Sequence, residues 1–202
     1  MKIYETSSAP NARRVRIFLA EKNIPMEYIQ VDIVKGENLS ADFLRKNPTG
    51  KIPVLELDDG THIGESVAIC RYFEELYPEI PLMGTTAQEK AVIEMWQRRV
   101  ELHFLFSVGM CFQHVTGYFK DRMNPIKEWG EEAGKQALGF MKLLDTRLAD
   151  SPYVAGETFS IADITALCAM DFARVVKLSP KEDQTNLLRW HKQVSDRPSA
   201  GA

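Results

Sequence analysis

The sequence predicts an α+β chain in two parts, a β-α-β-α-β-β-α region followed by an all-helical one. Three observations carry this. Up to Tyr77, segments with the two-residue period of strands alternate with segments of helical period. Pro78, Pro81 and Gly84 then punctuate a short stretch, and beyond it almost every periodic segment is helical. The boundaries that follow are a first domain over 1–78, a linker over 79–86 and a helical domain over 87–202.

Each element has its own signal. Lys2 to Tyr4 starts as a strand, and the loop Ser7-Ser8-Ala9-Pro10-Asn11 precedes a helix, beginning near Ala12, with Val15, Phe18 and Leu19 on one face. From Glu27 to Val34, Ile29, Val31 and Ile33 alternate with polar residues, as in a half-buried strand. Ser40 to Leu44 reads as a short helix stopped by the turn Asn47-Pro48-Thr49-Gly50. Ile52 to Leu57 reads as a strand, joined through Asp58-Asp59-Gly60 to a second at His62-Ile63. Ser66 is a good N-cap for a helix carrying Ile69, Cys70, Phe73 and Leu76.

In the second part, Gln88 to about Tyr118 carries Val92, Met95, Trp96 and Phe106, and Ile126 to Leu148 carries Trp129, Ala133, Phe140, Met141 and Leu144. These predict two long amphipathic helices. Ser160-Ile161-Ala162-Asp163 has capping-box spacing and opens an apolar helix to about Val176. A last helix spans Gln184 to Ser195, with Leu188, His191 and Val194 on one stripe.

Composition narrows the function. With 202 residues, 45% hydrophobic and 26% charged, the chain is long enough for a substantial core and is not dominated by disorder. Lys plus Arg is 25 against Asp plus Glu 28, and a net charge of -3 offers no footprint for a nucleic-acid backbone. No apolar run approaches the roughly 20 residues that cross a bilayer, and the start lacks a signal-peptide core, so no membrane partner and a cytoplasmic location are expected. Cys70, Cys111 and Cys168 are widely spaced in apolar surroundings and read as buried thiols, neither a disulfide framework nor a zinc site.

Four motifs in order give the chain a resemblance to a known family. Ser8-Ala9-Pro10-Asn11 leading into Arg14-Val15-Arg16, Asn47 to Leu55 with its Lys51-Ile52-Pro53, Glu65-Ser66, and Ser160 to Asp163 are similar to the active-site loop, proline strand, glutamyl site and folding cap of cytosolic glutathione transferases. The resemblance covers nearly the whole chain, and its first half is most similar to the bacterial and fungal classes without an active-site tyrosine. It implies a thioredoxin-like first domain and glutathione as co-substrate. A small hydrophobic electrophile is implied as the second substrate, with the helical domain lining its site, along with a homodimer and a role in detoxification.

The same resemblance implies the site residues. A cis Pro53 lets the Ile52 backbone pair with the cysteinyl part of glutathione. Glu65 faces the α-ammonium and Ser66, at a helix N-terminus, the γ-glutamyl carboxylate. Lys51, and less strongly Asn38, meet the glycyl carboxylate. In the loop, Asn11 first and Ser8 second are the candidate thiolate donors, aided by the following helix terminus; as plain residues they equally suit turn and cap roles. His114, near Met110 and Phe112, is a further catalytic candidate, although a histidine in such a helix is more often a packed or surface residue. Asp163 is read as a folding residue. The loop has no cysteine, so the ligand's thiol is activated rather than one of the protein's. A glutathione-dependent disulfide or peroxide reductase and a non-catalytic binding module of the same fold are the alternatives.

Overall fold

The computed structural model describes residues 1–202, which divide into two units: Met1–Pro81 together with Pro198–Ala202, and Leu82–Arg197. In the first, β1 (Lys2–Glu5) runs parallel to β2 (Glu27–Gln30) and antiparallel to β3 (Val54–Glu56), which pairs antiparallel with β4 (His62–Ile63), giving the order β2-β1-β3-β4. Ile3 and its partner Leu55 are fully buried on the sheet, and so are Ala12 and Phe18 of α1 (Pro10–Glu21) and Ile69, Cys70 and Phe73 of α3 (Ser66–Leu76). These two helices pack on each other. A second cluster joins Val31, Val54 and Phe43 of α2 (Ala41–Lys46), with Tyr4 and Ile52 against it.

Two strands are shorter than their sequence patterns. Val31 N–H still donates to Glu5 O, but the Asp32 carboxylate then accepts from the Val34 and Lys35 amides and folds the chain into a turn. On the other side, Pro53 has no N–H to give a ladder, and pairing of β3 begins at Val54.

The second unit opens on α4 (Ala87–Val100), whose Thr86 and Glu89 form a full capping box. The single long helix expected to about Tyr118 is instead α4, a π-helical turn over Glu101–Leu105 and α5 (Phe106–Thr116). Buried Val100, Phe104, Val108 and Cys111 keep one apolar stripe continuous through the wider π winding. Met95, Phe106 and Trp129, assigned to apolar faces by spacing, are exposed.

After α5, the chain enters α6 (Lys127–Arg147), which lies tightly on α5: a Cβ at Gly130 would come within 2.8 Å of His114 Cβ. α7 (Ile161–Ala173) is buried along almost its whole length and begins at the Ser160–Asp163 capping box foreseen from spacing. The fully buried Asp163 carboxylate accepts from Ser160 N (3.0 Å), Val154 N (2.9 Å) and Trp190 Nε1 (2.9 Å). It thereby joins the start of α7 to α8 (Thr185–Ser195). The buried stripe of α8 is Leu187, Trp190 and Val194, not the expected Leu188, His191 and Val194; Leu188 is exposed and His191 Nε2 lies 2.9 Å from Asp171. No helix is long and apolar enough to cross a membrane.

Candidate active site

Three backbone features of the first unit gather most of the candidate residues. The first is the loop from β1 to α1. Thr6 Oγ1 donates to Val31 O (2.6 Å) and Ala9 N to Thr6 O (2.9 Å), so the loop is fixed at both ends. α1 starts at Pro10, two residues earlier than expected, with Ala9 as an N-cap that has no side-chain oxygen to offer. Its first amides are therefore uncapped by any side chain. The Ser8 and Asn11 side chains are exposed and make no internal hydrogen bond, so neither serves as the cap that serine and asparagine commonly provide before a helix.

The second feature is the segment Asn47–Pro53. Asn47 Oδ1 accepts from Thr49 N (3.2 Å) in an Asx turn, its Nδ2 donates to Lys51 O (2.8 Å), and Gly50 N returns to Asn47 O (2.9 Å). The buried Asn38 donates its Nδ2 to Gly50 O (2.7 Å), and its Oδ1 is buried without a partner. Gly50 holds φ +61°, and a Cβ there would meet Asn38 O at 3.2 Å, so the turn suits glycine twice over. The Ile52–Pro53 peptide bond is cis, as the family resemblance implies, and the Lys51 side chain is exposed.

The third feature is the entry to α3. Glu65 has φ 58° and is the N-cap; Ser66, read from sequence as the cap, is the first helical residue instead. A non-glycine residue at positive φ is uncommon and concentrates at functional sites. Glu65 is exposed and Ser66 buried, and the Ser66 hydroxyl accepts a hydrogen bond from Arg14 Nη1 at 2.9 Å. Arg14 has no exposed surface at all. A buried guanidinium, a serine hydroxyl with its hydrogen still to donate, and the first amides of a helix are together groups that can accept a carboxylate.

Sequence reasoning passed over Arg14 as part of a motif without giving it a role. The signal was present: Arg14 stands three and four residues before Ile17 and Phe18, on the stripe that α1 buries. A charge at a core position calls for a partner.

His114, in the second unit, has a structural assignment. Its Nδ1 accepts from the Ile126 amide at 2.9 Å, satisfying the backbone just before α6. A ring that accepts at Nδ1 carries its hydrogen on Nε2. The three cysteines are buried and free of disulfides, and no group of metal-ligating side chains occurs.

The sheet and helices of the first unit make a thioredoxin-like fold, and the helical second unit completes the two-part architecture of a class of enzymes that use a peptide thiol as co-substrate. Family models match the chain twice, as a glutathione S-transferase N-terminal domain over residues 9–76 and a C-terminal domain over residues 106–198. Glutathione S-transferase 2 of Saccharomyces cerevisiae is 42% identical over 98% of this chain and 87% of its own length. The crystal structure of Gtt2 from Saccharomyces cerevisiae superposes with a TM-score of 0.95 at 42% identity, covering 100% of this chain and 99% of that one. A glutathione S-transferase of class Gtt2 from Vibrio parahaemolyticus superposes with a TM-score of 0.87 at 41% identity, covering 98% and 95%. The chain belongs to the glutathione S-transferase family, and glutathione is its co-substrate.

Proposed function

We propose that the chain conjugates the thiolate of glutathione to small hydrophobic electrophiles, with the peptide laid across the three features of the first unit. The observation that carries this is the Arg14–Ser66 pair at the start of α3. It offers a desolvated anion receptor beside an exposed carboxylate, Glu65, and so matches the carboxylate and ammonium of a γ-glutamyl group. The Ile52 backbone takes the cysteinyl part, and Lys51 takes the glycyl carboxylate. Asn38 lies behind this end and contributes through Gly50.

The thiol then falls to the loop Ser7–Asn11. A free thiol has a pKa of about 8.5, and bringing it to about 6.5 takes roughly 2.7 kcal/mol of preference for the thiolate. One charge-assisted hydrogen bond from Asn11, or from Ser8, together with the uncapped start of α1, is sufficient. Both side chains are free to make it. His114 is the third candidate that the family resemblance raises, and its Nδ1 is committed to the Ile126 amide.

The proposal extends to a cytoplasmic, detoxifying homodimer. Exposed Met95, Leu102 and Phe106 along the run from α4 into α5 are the apolar surface offered to a second copy.

Calorimetry with reduced glutathione tests the site. Ser66→Ala is expected to weaken binding by about 1–3 kcal/mol, the cost of a hydrogen bond to a charged group. Thiolate absorbance against pH on the glutathione complex tests the chemistry: Asn11→Ala should raise the bound thiol's pKa by one to two units or so. A shift with Ser8→Ala instead transfers the role to serine, and a shift with neither moves it to the α1 terminus and His114.

A further inference from the structure

We infer that Glu5, Arg16 and Gln30 form a positioning clamp that sets the thiol-activating loop by gripping both backbone groups of Ser7. This deepens the proposed function and rests on its reading of the Ser7–Asn11 loop. The four residues close a ring of hydrogen bonds. Glu5 Oε2 accepts from Arg16 Nη1 at 2.6 Å, and Arg16 Nη2 donates to Ser7 O at 2.8 Å. Ser7 N donates to Gln30 Oε1 at 3.0 Å, and Gln30 Nε2 closes the ring on Glu5 Oε1 at 3.1 Å.

The parts of this ring differ in setting, and the difference says which element governs. Glu5 is 2% exposed, at the end of the central strand, while Ser7 lies out in the loop. A buried carboxylate requires partners, and each of its oxygens has one. The two partners stand on different elements, Arg16 on α1 and Gln30 at the end of β2. Each spends its second polar group on the same loop residue. One guanidinium spans Glu5 and Ser7 O through separate nitrogens, which a lysine cannot do. The amide of Gln30 spans Glu5 and Ser7 N with its two ends, which only an amide of that length can do. The Ser7 peptide is therefore referenced to β1, β2 and α1 at once, and Ser8 and Asn11 follow within four residues.

A donor that must meet a thiolate at hydrogen-bond distance gains little if its loop drifts. Displacement of a catalytic group by about 1 Å can lower a rate by up to about a hundredfold. None of the three clamp residues needs to touch glutathione for this role.

Two charge-conserving variants test it, Gln30→Ala and Arg16→Lys, so any change in thiol ionisation reports loop position rather than altered charge. Gln30 is exposed, and its loss leaves the Glu5–Arg16 pair intact, so that variant keeps a folded test available. In each, the pKa of bound glutathione, kcat and KM, and the Kd for S-methylglutathione are measured beside the melting temperature. The expected result is a raised thiol pKa and a kcat about tenfold lower, with the S-methylglutathione Kd within about twofold of wild type. An unchanged thiol pKa and kcat in folded Gln30→Ala overturn the clamp, even if the melting temperature falls. The underlying reading fails separately: if wild-type enzyme does not lower the thiol pKa of bound glutathione, the loop has no activation to position.

Discussion

Arg14 and Asp163 are ionisable side chains with essentially no solvent contact, and each is tolerable because it was given specific partners. Arg14 faces Ser66 across 52 positions of sequence, and no spacing rule connects them. Asp163 is the opposite case, since its bond to Ser160 is local and was legible as a capping box, whereas its bonds to Val154 and Trp190 were not. Asp163→Ala therefore removes more than a cap: it strands buried donors, and the expected loss is about 3 kcal/mol or more, read from urea unfolding. Burial pushes the Asp163 carboxyl up to about 6, against the donors from Val154, Trp190 and Ser160. A carboxyl raised above its unfolded value adds stability in full at and below about pH 3.9 and loses it as pH rises through the folded value. The stability advantage of wild type over Asp163→Asn should therefore be greatest near pH 4 and shrink as pH passes 6; an advantage that grows over that range would reverse the assignment.

Elements met their sequence patterns where the pattern was set by local chemistry and departed where neighbours intervened. The helix over Gln88–Tyr118 was expected unbroken because its periodicity is continuous; the π turn at Glu101–Leu105 preserves that stripe and leaves no mark in it. In α8 the spacing allowed two neighbouring stripes, and Trp190, whose indole reaches Asp163, decided for the one with Leu187. The contact of α5 with α6 depends on a missing side chain. At Gly130 a Cβ would lie 2.8 Å from His114 Cβ, 2.9 Å from Val115 Cγ2 and 3.0 Å from Val115 N, a backbone atom with little room to give. Gly130→Ala should thus forfeit the roughly 1 kcal/mol that alanine normally gains in a helix and destabilise by about 1–3 kcal/mol through overpacking. A higher melting temperature in that variant would show that α5 and α6 can separate freely. His114 is part of the same contact, so the variant should also disturb its bond to Ile126.

For the whole molecule, chain order and unit membership are different things. The sequence boundary near Pro78 and the division at Pro81–Leu82 lie close together, but Pro198–Ala202 returns to the first unit. Arg13 Nη2 donates to Ala200 O at 3.0 Å, and Ser199 hydrogen-bonds Glu21, so the last residues pack on α1. Catalysis by the ligand's thiol makes a prediction at this scale. Cys70, Cys111 and Cys168 are all buried and none lies in Ser7–Asn11, so replacing the three by Ala should lower the melting temperature but preserve conjugation per folded molecule. Loss of turnover in a folded triple variant would return a protein thiol to the mechanism. Light scattering at micromolar concentration is expected to give twice the chain mass of 22.9 kDa, and a monomer would remove the homodimer.

The sequence by itself determined the order of strands and helices, the Asn47–Gly50 turn and the cap at Ser160–Asp163, because each depends on residues within a few positions of one another. It also carried the family, through four motifs in order. Tertiary structure decided which polar groups meet: Arg14 with Ser66, Asn38 with Gly50, and Glu5 with Arg16, Gln30 and, through them, Ser7. Periodicity reports which face of an element is apolar, and its signal is the same whether a polar residue on that face is solvated or buried against a partner far along the chain. Only the packed fold brings those partners within hydrogen-bond distance, and it is there that the loop after β1 acquires a fixed place, its Ser7 backbone held by Arg16 and Gln30.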